Sequence, residues 1–367
     1  MVTTKKQGID LILTLCVIGL LCFGCVMVYS ASSYQSKTYY DNEYFFLYKQ
    51  ILGVALGLAT IVGLTIFDYR KLFSLRYVIY IVGIILLILV FVPGIGVENY
   101  GSKRWIKFPL FTLQSSEFAK LAFIIFASAY MSKNYDKMTT FKGLLPVLLS
   151  GGLVCVLIIL EPNMSITMCV AILTFCMAFI GGARYKHFLM IGTPALACVP
   201  LLIIAEPYRI KRLLAFLDPW KAPLAEGYQL VQSYFSLGGG GMFGLGLFNS
   251  RQKYLFLPFA ESDFIFSIIG EELGFVGCVC VILVYVMIIY RAFLTAKKAS
   301  DRFGAYLASG IGCLIAVQVI INIAVVSGSI PPTGLPLPFI SSGTTSIIAF
   351  CAGVGILNSI RVHSVNY

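Results

Sequence analysis

Five carboxylates stand where this sequence can least accommodate charge: Glu117 in QSSEFAK, Glu161 in LEPNMS, Asp263 in AESDFIF, and Glu271 with Glu272 in GEELG. Each lies inside or at the edge of a long apolar run, where removing a charge from water costs several kcal/mol, so each is a candidate functional group. Asp263 is the foremost. The stretch Arg251 to Gly274, RQKYLFLPFAESDFIFSIIGEELG, carries a basic, aromatic loop straight into an apolar helix and sets this carboxylate at a membrane boundary. The histidines, His187 and His363, both belong to the opposite side. That excludes a Ser-His-Asp or Cys-His device beside Asp263, and a His-ligated zinc centre. Acid–base chemistry must then fall to a carboxylate. An alcohol attacking a centre whose leaving group is already good, such as a pyrophosphate, needs a single general base, and one Asp suffices.

Every candidate also has an ordinary structural employment. Asp263 could serve only the dipole of the helix it precedes, with Ser262 as the natural cap. Glu117 and Lys120, three apart, share a helix face and form either an internal ion pair or a grip on a substrate headgroup. Glu161 either binds a cation or caps its turn. Glu271 and Glu272 lie about two turns deeper than Asp263 and are expected to bind neighbouring helices as structural support.

The elements that must position these groups follow from composition. With 367 residues, 59% hydrophobic, 12% charged and a mean hydropathy of +0.91, the chain has too little polar surface for a soluble globule. It reads as an all-α, polytopic membrane protein, since its apolar runs match the ~20 residues a helix needs to cross the bilayer and no alternating pattern marks a β-barrel. Ten spans are counted, at about 11–30, 51–67, 77–92, 116–132, 143–160, 165–182, 188–205, 264–290, 305–328 and 341–360, in a single domain over 1–367. The first, preceded by Lys5 and Lys6, is expected to be a retained span rather than a cleaved leader. With the N-terminus inside, fifteen Lys and Arg residues fall on the cytoplasmic side and five in the short outer loops. Basic residues are retained inside, so both termini are expected in the cytoplasm and the long segment 206–263, between spans seven and eight, outside.

That segment carries Arg209, Lys211, Arg212, Lys221, Arg251 and Lys253, which at a span mouth are expected to dock a phosphorylated headgroup. The net charge of +11 is otherwise spread over loops, where anionic lipid is the expected counterpart and nucleic acid is not. Gly238 to Gly241, Gly244 and Gly246 lack the GK[ST] ending of a phosphate loop, so no nucleotide is expected; they read as close-packed or flexible backbone whose amides could approach a ligand. The eleven cysteines all sit in apolar segments and read as small membrane hydrophobes. Last, SGSIPPTGLPLPFISSGTTS at 327–346 places Pro331, Pro332, Pro336 and Pro338 where no helix can continue. Such broken backbone is tolerated at membrane depth only when buried or lining a cavity. Ser341, Ser342, Gly343, Thr344 and Thr345 then open a helix and offer hydroxyls and amides to an anion.

Taken together, QSSEFAK at 114–120, EPN at 161–163, FLDPW at 216–220 with GYQ at 227–229, GGGGMFGLGLFNSRQK at 238–253, SDFIFSIIGEELG at 262–274 and TGLPLPFISSG at 333–343 resemble the SEDS family (shape, elongation, division and sporulation) over nearly the whole chain. The DPW and NSRQK forms are more similar to the division and sporulation branch than to the elongation branch. The resemblance implies a ten-span peptidoglycan glycosyltransferase that polymerises lipid II on the outer face of the plasma membrane and works with a class B penicillin-binding protein. It places the family's essential Asp at Asp263 and its fourth-span Glu and Lys at Glu117 and Lys120. Departures occur at Asn163, where the family often has Asp, at Phe259 for a common Glu, at Glu261 for a frequent His, and in the final SSGTT.

The expected chemistry has Asp263 as catalytic base. Glu117, Lys120, Arg209, Arg212, Arg251, Lys253, Ser341, Ser342 and Thr344 are the expected substrate contacts, and a divalent cation (Mg or Mn) is an expected helper, with Glu161 as its candidate ligand. A lipid II flippase and a noncatalytic scaffold for a penicillin-binding protein are the alternatives.

Overall fold

The computed structural model describes residues 8–99, 102–107, 112–204 and 207–364. They form twelve α-helices in the order α1 (Leu11–Tyr40), α2 (Phe45–Ile66), α3 (Arg70–Leu89), α4 (Ser115–Lys133), α5 (Phe141–Leu160), α6 (Met164–Ile180), α7 (Tyr185–Ile204), α8 (Pro207–Leu217), α9 (Tyr228–Gly240), α10 (Ile265–Lys298), α11 (Arg302–Val326) and α12 (Thr344–His363). By length and composition, α1, α2, α3, α5, α10, α11 and α12 can each cross a membrane, and α6 is a shorter apolar helix. The chain is a multi-pass membrane protein. Side-chain caps start several helices: Asp10 accepts from Leu13 N, Thr140 from Gly143 N, Asn163 from Ile166 N and Asp301 from Gly304 N.

The helices do not stop where hydropathy does. α1 runs ten residues past its apolar stretch, through ASSYQSKTYY, and ends only at Asp41, whose backbone is left-handed. Polarity ends a span, whereas a helix ends at a cap.

The centre of the bundle is α11 and α12, whose apolar windows are 67% and 72% buried against 17% for α3. α11 packs on α10, α4 and α6, and α12 on α2. At one end α1 and α12 are clamped together: Asp10 N donates to Asn358 Oδ1 at 3.1 Å, and the Asp10 carboxylate takes Arg291 at 2.6 Å and Arg361 at 2.5 Å. Asp263 lies at the other end.

Two features depart from an all-α reading with a plain loop at 206–263. Between α3 and α4 a small antiparallel sheet forms from β1 (Gly96–Asn99), β2 (Ser102–Lys107) and β3 (Thr112–Gln114), in that order. The segment 206–263 also contains α8 and α9.

α10 is broken. Gly274 has φ +68°, so Phe275 N and Val276 N miss their helical acceptors, the carbonyls of Glu271 and Glu272. The glycine-rich loop after α9 enters the gap: Phe275 N donates to Gly241 O at 2.9 Å and Val276 N to Met242 O at 3.1 Å, while Leu245 N and Gly246 N donate to the carbonyls of Glu271 and Glu272 at 2.9 and 3.0 Å. A Cβ on Gly244 would sit 2.1 Å from Glu272 O. The glycines are therefore close-packed backbone, and these loop amides serve the helix rather than a ligand.

Candidate active site

The site begins with the proline run. Pro331, Pro332, Pro336 and Pro338 have no N–H to give, so the loop cannot satisfy itself by secondary structure, and its carbonyls need donors from elsewhere. Surrounding helices provide them. Arg212 donates to Pro332 O at 3.4 Å, Asn322 Nδ2 to Leu335 O at 2.7 Å, Gln318 Nε2 to Pro336 O at 2.9 Å, and the Tyr285 hydroxyl to Pro338 O. Two of the loop's own amides are met as well: Gly334 N donates to Ser165 Oγ at 3.0 Å and Leu337 N to Ser341 Oγ at 2.7 Å.

Against this loop lies the segment that ends in Asp263. Ser342 N donates to Glu261 O at 2.9 Å, Ser341 Oγ to Ser262 O at 2.6 Å, and Asn322 Nδ2 to Asp263 O at 2.9 Å. The Asp263 carboxylate rests over Gly334, where a Cβ would come within 2.7 Å of Oδ2. Ser262 does not cap α10, whose first turn has no side-chain cap; its carbonyl is tied to Ser341 instead.

Asp263 is partly buried, and desolvation, reinforced by Glu261, pushes its carboxyl from the ordinary 3.8 up to about 7, against the pull of Arg104 and Arg212. Its neighbour Glu261 is buried and likewise raised by desolvation. A carboxylate poised near neutrality, facing two guanidinium groups, can take a proton and tolerate an anion.

The structure brings together Asp263, Arg212, Ser341 and Ser342 from the sequence-based set. It places the others differently. Glu117 (1% exposed) and Lys120 (0%) form a buried ion pair at 2.8 Å, and Lys120 Nζ also donates to Gln318 Oε1 at 2.7 Å, so Lys120 reaches the loop only through Gln318. Lys253 is 6% exposed, 3.6 Å from Glu272 and hydrogen-bonded to Phe248 O at 2.5 Å; it holds its own loop, while Arg251 remains exposed. Thr344 Oγ1 lies 3.4 Å from Lys49 O at the start of α12. The Arg209 side chain lies outside the described residues. Glu271 and Glu272 are structural, as their depth implied. Glu271 accepts from Ser250 Oγ at 2.5 Å and from Arg251 N and Gln252 N, and Glu272 from Ser30 Oγ at 2.6 Å and Ser250 N.

Glu161 is buried beside Ser115 Oγ, with desolvation raising its carboxyl to about 8. Asn163, where a second carboxylate would stand, spends its side chain capping α6. Among the described residues no group of three His, Cys, Asp or Glu side chains converges. Glu161 is thus the one carboxylate this turn offers a divalent cation, with Asn163 spent on its cap, and no step below runs through one.

Sequence reasoning passed over three residues. Arg104, on β2, donates to Glu161 O at 3.2 Å and Pro162 O at 2.6 Å and acts on Asp263; its signal was an Arg beside Trp105 in a short outer loop. Gln318 and Asn322, one turn apart in an apolar helix, carry no charge and belong to no polar cluster in the sequence, so nothing local marks them.

Fold and site define a multi-pass helical membrane protein with a near-neutral carboxylate, Asp263, under the influence of two arginines at the mouth of its bundle. The chain belongs to the SEDS family: it matches the cell cycle protein family of FtsW, RodA and SpoVE over residues 10–366. It is 37% identical to stage V sporulation protein E of Bacillus subtilis (strain 168), over 99% of both chains, and 36% identical to a probable peptidoglycan glycosyltransferase FtsW of Geobacter sp. (strain M18), over 96% of both. Among solved structures it resembles a chain of a peptidoglycan synthase complex that coordinates polymerization and crosslinking, with TM-score 0.79 and 29% identity over 96% of this chain and 97% of that one. It also resembles the rod shape determining protein RodA of Thermus thermophilus, with TM-score 0.69 and 26% identity over 96% of each.

Proposed function

We propose that this protein is a peptidoglycan glycosyltransferase that polymerises lipid II on the outer face of the plasma membrane, in division or sporulation. The observation that carries the reading is the placement of Asp263: near neutral, suspended between α11 and the proline run, with Arg104 and Arg212 acting on it. Asp263 takes the proton of the acceptor sugar hydroxyl as that oxygen forms its bond to the anomeric carbon of the donor. The bond from that carbon to the pyrophosphate breaks, undecaprenyl pyrophosphate leaves, and the single displacement inverts configuration. The two arginines offset the charge on the leaving group.

In this reading α1–α7 and α10–α12 are ten spans, with both termini in the cytoplasm and α8, α9 and Asp263 outside; the clamp that joins the start of α1 to the end of α12 supports the two ends sharing a side. A class B penicillin-binding protein is the proposed partner, in keeping with the complex that the structural relative comes from.

The test is lipid II polymerisation by wild type, Asp263→Ala and Asp263→Asn. Loss of general-base catalysis predicts a fall of roughly 10²- to 10⁴-fold. Full activity in both variants refutes the role of Asp263. Translocation of lipid II across vesicles without polymer points to a flippase, and polymerisation that survives loss of every polar candidate points to a scaffold.

A further inference from the structure

Asp263 has no helical backbone to hold it. It precedes the first residue of α10, and that helix has no side-chain cap. Its main-chain carbonyl is held by one group, Asn322 Nδ2, which also donates to Leu335 O and so ties Asp263 to the proline run across 2.9 and 2.7 Å. One turn earlier on α11, Gln318 Nε2 holds the next loop carbonyl, Pro336 O, at 2.9 Å, and its Oε1 is fixed by Lys120 at 2.7 Å. The loop in turn carries Gly334, on which the Asp263 carboxylate rests. Both side chains are buried, at 0% and 1% exposure, so neither offers a surface to a substrate.

We infer that Gln318 and Asn322 are positioning residues for Asp263, and that the Glu117–Lys120 pair acts on the reaction through Gln318 rather than by touching substrate. The inference rests on the reading of Asp263 as the base. Each member of the relay holds the next: Glu117 orients Lys120, Lys120 selects the amide orientation of Gln318, and Gln318 with Asn322 sets the height of the loop beneath the carboxylate. Four other groups bear on Asp263 from the elements around it: Glu261 from its own segment, Arg104 from β2, Arg212 from α8, and Gly334 from the loop.

The experiment uses the full chain in nanodiscs, with purified lipid II and the variants Asn322→Leu and Gln318→Glu. Asn322→Leu keeps the size of the side chain and removes both donors. Gln318→Glu keeps an oxygen toward Lys120, replaces the donor to Pro336 O by a carboxylate oxygen, and sets its added charge against the Lys120 ammonium. Misplacing a catalytic group by about 1 Å costs roughly 10²-fold, so kcat should fall by about that factor in Asn322→Leu and by less in Gln318→Glu, with KM for lipid II little changed. The acid limb of the pH–rate profile should move to lower pH in the uncharged variant Asn322→Leu, because a loosened loop rehydrates Asp263. A merely structural role lowers the active fraction without moving that limb, and this outcome overturns the inference. So does a wild-type kcat in either folded variant. Should Asn322→Leu fail to fold, the near-isosteric Gln318→Glu decides alone. Activity retained in Asp263→Asn removes the base and the inference with it, whereas an inactive Asp263→Asn beside unaltered Asn322→Leu removes the inference only.

Discussion

Gly334→Ala separates catalysis from folding more cleanly than any change to Asp263 itself. The added Cβ would stand 2.7 Å from Asp263 Oδ2, and no other heavy atom outside that carboxyl group lies within 4 Å of it. A carbon–oxygen contact needs about 3.3 Å, so the carboxylate must retreat by roughly 0.6 Å. Nothing else should suffer. Gly334 is exposed and its backbone avoids the left-handed region, so alanine fits, and the N–H that Ser165 accepts is retained. Gly→Ala at a compatible position stabilises by about 0.4–1 kcal/mol through the unfolded chain, so the melting temperature should hold or rise slightly. A displacement over half of the ~1 Å that costs 10²-fold predicts a loss in kcat of about 10-fold or more, equivalent to roughly 1.4 kcal/mol or more in the barrier. The assay pairs initial rates of lipid II polymerisation with thermal melting in the same nanodiscs. Wild-type kcat in Gly334→Ala would refute the placement of the reacting carboxylate over Gly334, and a joint loss of rate and melting temperature would refute the separation.

The pH dependence of polymerisation carries opposite signs for two neighbours. The base form of Asp263 grows as pH rises through about 7, so the rate should climb there; Glu261→Gln should move this limb to lower pH and Arg104→Gln to higher pH, read from kcat against pH. The contribution of Asp263 to stability has the inverse course, fully present below 3.8 and lost as pH rises through about 7, which melting against pH will register. Lys253→Met leaves Glu272 buried without its cation and should cost about 3 kcal/mol, whereas Arg251→Ala, at an exposed position, should leave the melting temperature alone and raise KM; the reverse pattern returns Lys253 to the substrate. Gly244→Ala drives a Cβ to 2.1 Å from Glu272 O at a φ of +80°, so folded protein recovered in detergent should fall sharply.

Much of this protein was legible before any coordinate. Apolar run length marks the helical bundle because lipid imposes it directly on the sequence. Asp263 was legible for the same reason, since a carboxylate at the head of an apolar run must be accounted for. The sheet between α3 and α4 was not: its strands are three to six residues long, and a hydropathy reading tuned to spans passes over them. The burial of Lys253 was not legible, because net charge in a loop does not say which bases are exposed. It stands two residues from the exposed Arg251 yet is itself buried, paired with Glu272 just before the break in α10.

The proline run shows why the remaining polar residues were hard to assign. A proline removes a donor at its own position, but the consequence appears on other elements, as carbonyls that some neighbouring chain must satisfy. In an apolar bundle most of those donors come from polar side chains placed in spans, which is how Gln318 and Asn322 come to lie buried on α11, while Ser165 on α6 accepts from the loop amide of Gly334. Polar residues within spans are therefore not all contacts for substrate. Where a break such as 331–338 is present, its carbonyls have the first claim on them, and a residue becomes a candidate for chemistry when that claim is met. Asp263 passes this criterion because its backbone serves the scaffold through Asn322 while its carboxylate does not. Lys120 does not pass it, since Glu117 and Gln318 hold its ammonium.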